Sequence, residues 1–177
     1  MALRVVQNGQ ITLKDCRVSE ADRLQNANSF KDTAKVLRMT RTGVAWFAVG
    51  CQMGAYEHAL RYATERSQFG RPIGGFQLVQ DLLVRMLGNV TATQSMMLRL
   101  GQLQDEGVML DEHASLAKAY CSEAYFHTTA ENIQIHGGIG FTWEHPAHLY
   151  FKRAKSSELF LGDPTYHREL LAQRIGI

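Results

Sequence analysis

Three stretches of this chain carry most of its chemical reach. Arg66-Ser67-Gln68-Phe69-Gly70 sets a guanidinium, an amide and an aromatic ring side by side at what reads as a helix end. An arginine there can grip a phosphate and a phenylalanine can cover a flat ring. The same residues also make an ordinary exposed helix end. Gln134-Ile135-His136-Gly137-Gly138-Ile139-Gly140 is a glycine-rich turn. It is neither GxGxxG nor a P-loop, and no strand pattern precedes it, so taken alone it reads as a helix C-cap. Glu144-His145-Pro146-Ala147-His148 is the densest His/Glu cluster. A metal there would need ligands from elsewhere, and the cluster reads as a polar loop entering a helix. A di-metal carboxylate centre in a helical bundle needs Glu-x-x-His on two helices. That pattern occurs nowhere in the sequence, so no metal is expected.

Long helices must position these stretches. Ser29-Phe30-Lys31-Asp32 has the form of a capping box with Asp in the Glu place. Behind it Leu37, Val44, Ala48, Cys51, Ala55 and Tyr62 follow helical spacing, which predicts one helix over about 30–66. Phe76, Val79, Leu83, Met86, Val90, Thr93, Met97 and Leu100 step by three and four, widened by Leu82 and Leu87. They predict a second helix, to about 105, with a stripe broad enough for a core and for self-association. A third helix, about 111–136, has a face of small residues (Ala114, Ala117, Cys121, Ala124, Ala130) suited to an inner position. Pro146 and Asp163-Pro164 mark two short helices, about 146–155 and 164–174. The expectation is an all-α, four-helix-bundle-like domain. Before it, Leu3, Val5, Ile11, Leu13, Cys16 and Val18 alternate loosely around Asn8-Gly9. They predict a short β-hairpin that needs something to pack on.

The 177 residues are 45% hydrophobic and 20% charged, which excludes disorder and suits one domain with a short appendage. A net charge of +2 offers no electrostatic reason to bind nucleic acid or anionic lipid. Apolar runs are too short to span a bilayer, and the first residues lack a signal-peptide pattern. Cys16, Cys51 and Cys121 form neither a disulfide framework nor a zinc site, so a reducing, cytoplasmic location is expected.

Taken together and in this order, the motifs resemble the acyl-CoA dehydrogenase family. The signature R-x-Q-F-G-x-P-I followed by Phe-Gln stands here as residues 66–73 with Phe76-Gln77. The signature Q-x-[HL]-G-G-x-G-[FY]-T stands as residues 134–142. The first half is most similar to glutaryl-CoA dehydrogenases; the part after Cys121 looks more like subunits of bacterial hetero-oligomeric members. The resemblance implies that residues 1–27 are the remnant of a middle β-domain and residues 28–177 the C-terminal bundle. It implies FAD, deployed across a subunit interface and lost or weakly bound by this chain alone. Arg66, Gln68 and Phe69 would contact the pyrophosphate and adenine end of a neighbour's FAD, and Gln134, Gly137 and Gly138 would line it. Arg41, in Thr40-Arg41, would lie on the substrate side.

Family members oxidise an acyl-CoA to the 2-enoyl-CoA, with a Glu removing the α-proton. Here the resemblance breaks. Aligned on Ala154-Lys155, Glu158 and Gly162, the usual base position holds Leu161, and the alternative position on the first helix holds Thr40. Asp163 is nearby, but an Asp-Pro helix cap accounts for it. Two readings follow: a bundle domain that works on acyl-CoA in a complete assembly, or a non-catalytic subunit that oligomerises and supports a partner's FAD.

Overall fold

A computed structural model describes the chain except Met1, Ala2, Arg4, Val5, Asn8, Met109 and Leu110. It is all-α. Helix α1 spans Phe30–Glu65, α2 Gln77–Asp105, α3 Asp111–His136, α4 Ala147–Leu159 and α5 Pro164–Ile175. Each lies within a few residues of its sequence expectation. At the start of α1 the Asp32 carboxylate accepts from the backbone N–H groups of Asn28 (3.0 Å) and Ser29 (3.2 Å), as the capping pattern requires. At the start of α5 the Asp163 carboxylate accepts from Tyr166 N–H at 2.8 Å, with Pro164 in the first turn.

Helix α3 is the inner element and packs against all four other helices. Its small residues Ala114, Ala117, Cys121 and Ala124 are buried and let the neighbouring backbones approach. Around them Ala45, Ala48 and Val49 of α1, Met97 and Leu100 of α2, Tyr125 of α3 and Ala154 of α4 form one apolar cluster. Ala59, Ala63, Met86 and Ile135 form a second, towards the far end of α1. A polar layer ties the helices together: Thr93 Oγ1 donates to Gln52 Oε1 (2.8 Å), and Gln52 Nε2 donates to Thr128 Oγ1 (2.9 Å). All three residues are fully buried, so the layer sets the register of α1, α2 and α3.

The inner face of α1 agrees with its sequence reading at Val44, Ala48 and Ala55 and differs elsewhere. Leu37 is 37% exposed, and the buried face runs through Ala45, Ala48, Gln52, Ala55, Ala59 and Ala63. Three helices crowd this face, and close approach selects alanine over larger residues. On α2 the middle of the expected stripe (Met86, Val90, Thr93, Met97, Leu100) is consumed by the core, while Leu78, Val84 and Leu98 stay exposed.

The expected N-terminal strands are not paired among the described residues. Ile11, Leu13 and Val18 are 84%, 76% and 77% exposed, and among the described residues the segment's only regular element is a 3-10 turn at Glu20–Asp22. Arg4, Val5 and Asn8 of that hairpin lie outside the described residues. A two-stranded pair has too little apolar cover to persist alone. The strands that do occur are elsewhere: β1 (Ser67–Gln68) pairs antiparallel with β2 (Arg71–Pro72). No described helix is long and apolar enough to cross a membrane.

Candidate functional site

Helix α1 ends at Glu65 and is capped by Arg66, whose N–H still bonds Tyr62 O at 2.8 Å. The chain then reverses in two residues, Phe69 (φ 52°) and Gly70 (φ 79°). Positive φ at both turn residues is the mark of a type I′ hairpin, and glycine accepts it far more readily than phenylalanine. The turn thrusts the Phe69 ring outward, 92% exposed, with only an edge contact to Phe76 at 6.1 Å. The Arg71 guanidinium lies over the Phe76 ring at 4.2 Å. Gln68, Phe69, Arg71, Phe76 and Leu78 border an open groove of about 740 Å³. Arg66 and Gln68 are exposed beside it. An arginine, an amide and a bare aromatic face at one groove can hold a phosphate and a flat heterocycle.

The second motif reaches the same end of the bundle. Helix α3 closes at His136, and Gly137 (φ 62°) opens a 3-10 turn, Gly137–Phe141. Gly137 and Gly138 have no heavy atom within 4 Å of where a Cβ would stand, and both are exposed, as is Gln134. Gly138 has an ordinary φ, so nothing inside this chain demands glycine there. The bare backbone leaves room for a group to approach from outside.

His136 joins the two motifs. Its ring stacks on Tyr62 of α1 at 4.2 Å and on His145 at 4.2 Å. Its Nδ1 donates to Asn132 O at 2.8 Å, which leaves Nε2 as the unprotonated nitrogen, buried and without a partner. Burial lowers the pKa of His136, and burial followed by the charge of His58 lowers that of His145. Both rings therefore favour the neutral form more than a free imidazole does. The three histidines do not converge on a metal site, and no group of metal-ligating side chains occurs among the described residues.

Arg41 stands apart. It lies near the start of α1, about 36 Å along the helix from Glu65 at 1.5 Å per residue. It donates to Tyr166 OH at 3.2 Å and lies 5.6 Å from that ring's centre. Its Nε is buried without a partner. Thr40 is exposed and donates to Leu37 O at 3.0 Å. Close to Tyr166 in sequence is the turn between α4 and α5, with Leu161 (φ 59°) and Gly162 (φ 106°). The structure thus gathers Arg66, Gln68, Phe69, Gln134, Gly137 and Gly138 at one end and sets Arg41 far from them.

Sequence reasoning passed over Lys118, Tyr166 and His167. Lys118 is fully buried and donates to Glu158 O and Gly162 O, both at 2.7 Å. Burial lowers its pKa to about 8 against the opposing charges of Glu158 and Asp163. His167, also fully buried, donates from Nε2 to Leu161 O at 3.1 Å. Burial, then the Lys118 charge, lowers its pKa to about 4. The available signal was a lysine amid the small residues of an inner helix.

The acyl-CoA dehydrogenase C-terminal domain model matches residues 30–176. A probable acyl-CoA dehydrogenase of Bacillus subtilis, YngJ, is 32% identical over 99% of this chain and 46% of its own length. An NADH-dependent acryloyl-CoA reductase of Anaerotignum propionicum is 28% identical over 99% of this chain and 45% of its own. The solved glutaryl-CoA dehydrogenase of Mycobacterium smegmatis superposes with a TM-score of 0.82 at 30% identity, over 87% of this chain and 40% of that one. The chain spans about half the length of the curated relatives it matches.

Proposed function

Because the chain belongs to the acyl-CoA dehydrogenase family through its C-terminal helical domain, we propose that it is the bundle half of an FAD-dependent acyl-CoA dehydrogenase. In this reading it oxidises acyl-CoA to 2-enoyl-CoA only as part of a complete assembly. The observation that carries it is the meeting of the two motifs at one end of the bundle through Tyr62 and His136. The residues there fit the phosphate and adenine end of FAD. Gly137 and Gly138 leave open backbone, Arg66 offers an exposed cation, and Phe69 offers a bare ring. FAD, when bound, supplies the hydride acceptor for the β-hydrogen.

This chain's own residues bind and orient. Arg66 and Gln68 donate to the phosphates, Phe69 covers the heterocycle, and the 137–138 backbone admits close approach. Arg41, about 36 Å along α1 from that end, cannot reach the same phosphates and serves a separate acyl site. The two ends therefore belong to two copies of the cofactor in an oligomer, one of them a neighbour's. The acyl chain length is set by walls that lie outside this chain. A glutaryl-like substrate is the suggestion of the first-half resemblance. The proposed setting is the cytoplasm, where Cys16, Cys51 and Cys121 stay free thiols.

A second reading is favoured by one specific observation. Leu161 cannot accept a proton, Thr40 is a hydroxyl bonded back to its own helix, and the Asp163 carboxylate is engaged as a cap. The chain is then a non-catalytic subunit that supports a partner's FAD, and turnover depends on a carboxylate from another chain. FAD titration by fluorescence quenching, with and without candidate partner chains, tests both. Partner-dependent FAD binding with acyl-CoA oxidation that survives neutralising the partner's carboxylates supports the first reading, and oxidation lost on neutralising one of them supports the second. No FAD binding under any condition overturns both.

A further inference from the structure

The turn between α4 and α5 is held by more than its length requires. Leu161 sits at φ 59°, a region that crowds a leucine's Cβ against its own backbone. Gly162 follows at φ 106°, where a Cβ would stand 2.5 Å from the Tyr166 ring. Two side chains grip the carbonyls around this point through three hydrogen bonds. Lys118 Nζ holds Glu158 O and Gly162 O at 2.7 Å each, and His167 Nε2 holds Leu161 O at 3.1 Å.

The choice of residue is informative. A buried ammonium is costly unless its donors are used. Lys118 is 0% exposed and gives two of its donors to main-chain carbonyls. The Glu158 carboxylate does not neutralise it by contact; that carboxylate takes Lys155 Nζ at 2.6 Å. A methionine would fill the same space on α3 without the desolvation. Strained backbone persists only where its surroundings over-determine it, and such strain concentrates at functional sites.

Resting on the reading that residue 161 belongs to the acyl site, we propose that Lys118 and His167 are positioning residues. They clamp the 158–162 turn so that residue 161 presents its side chain from a left-handed backbone, whichever side chain stands there. The clamp acts on carbonyl oxygens, not on the residue 161 side chain, so it survives the presence of leucine.

Hydrogen exchange on the full chain tests this. In Lys118→Met the amides of residues 158–163 exchange at least about tenfold faster, while those around Thr93 in α2 are unchanged. Equal acceleration at both places, or none at either, overturns the proposal. The imidazole ¹⁵N shifts of His167 give a second readout. Wild type shows the Nε2–H tautomer, and Lys118→Met shows a mixture, because the Leu161 carbonyl no longer stays in place. Leu161→Gly removes the left-handed strain and restores protection in the double variant. Should Lys118→Met fail to fold, His167→Phe removes only the Leu161 carbonyl contact and accelerates exchange at 158–163 alone; unchanged exchange there counts against the clamp. None of these readouts uses FAD or an acyl thioester, so the proposed function and the clamp stand or fall separately.

Discussion

The Tyr62 ring lies 4.2 Å from the His136 ring with the two planes 30° apart. One residue precedes the Arg66–Gly70 turn by a helical turn, and the other immediately precedes Gly137-Gly138. Two motifs far apart in sequence therefore share one rigid joint. Tyr62→Ala removes the ring from the joint and leaves a gap beside Ala59, Ala63 and Ile135. The expected loss is about 2 kcal/mol, below that of a fully buried aromatic because Tyr62 is only half-buried. Urea titration measures it, and a loss below about 0.5 kcal/mol counts against the joint.

Three wholly or partly buried histidines set an acid limit. His136, His145 and His167 all have folded-state pKa values below the ordinary 6.5, with His167 lowered to about 4. A group that binds its proton less readily when folded stabilises the fold above its unfolded pKa. That contribution is lost as pH falls through the window towards the folded value. Stability is therefore flat with respect to these groups above pH 6.5 and declines from about 6.5 to about 4. His167→Gln flattens part of that decline, which thermal melts at several pH values detect.

Gln52 bridges Thr93 and Thr128 in the core. Gln52→Leu leaves Thr128 without this donor and forces Thr93 onto Asn89 O and Val90 O, which already lie 2.9 Å away. The cost is about 1–3 kcal/mol. Replacing Thr93 and Thr128 by Val in the same chain recovers part of it, since an apolar layer leaves no polar group stranded. A triple variant less stable than Gln52→Leu contradicts this account.

Two glycines separate folding from binding. At Gly162 a Cβ meets Tyr166 at 2.5 Å with φ at 106°, so Gly162→Ala destabilises by about 2 kcal/mol or more. At Gly138 a Cβ meets nothing, so Gly138→Ala changes stability by no more than about 0.5 kcal/mol. If Gly138 lines FAD in the assembled enzyme, the same substitution weakens FAD binding. Unaltered FAD affinity in Gly138→Ala removes it from the site.

Asp163 accepts from Tyr166 N–H as the cap of α5. Asp163→Asn keeps the cap and leaves both stability and turnover of a reconstituted assembly unchanged, whereas Asp163→Ala costs about 1 kcal/mol. Turnover abolished in Asp163→Asn, with folding and FAD binding intact, makes Asp163 the base and the reading of Leu161 wrong.

The helices and their ends were legible because their causes are local. The Phe76–Leu100 periodicity, the Ser29/Asp32 box and the Asp163-Pro164 cap each act within one or two turns, so sequence spacing alone carries them. The family was legible for a related reason: residues 66–73 and 134–142 are contiguous motifs whose order survives in the chain. That Leu161 stands where a carboxylate is usual is an expectation from the family resemblance, and it concerns residue type alone.

Tertiary structure decided what depends on distant partners. Gln52 on the inner face of α1, Lys118 under the 158–162 turn and His167 beside it look like surface residues in a linear pattern. Gln52 and Lys118 are satisfied by groups that another helix brings, and His167 by the carbonyl of the turn that leads into its own helix. Of the alanine face of α1 only Ala48 and Ala55 were legible, and Ala45, Ala59 and Ala63 were missed, since a hydrophobic stripe is judged by large residues and close helix packing selects small ones. The separation of Arg41 from the Arg66 end already follows from a single helix over both, whereas the joint between Tyr62 and His136 comes from the packing of α1 on α3. Local spacing decides which residues share a helix face. What that face meets is decided by the packing of all five helices.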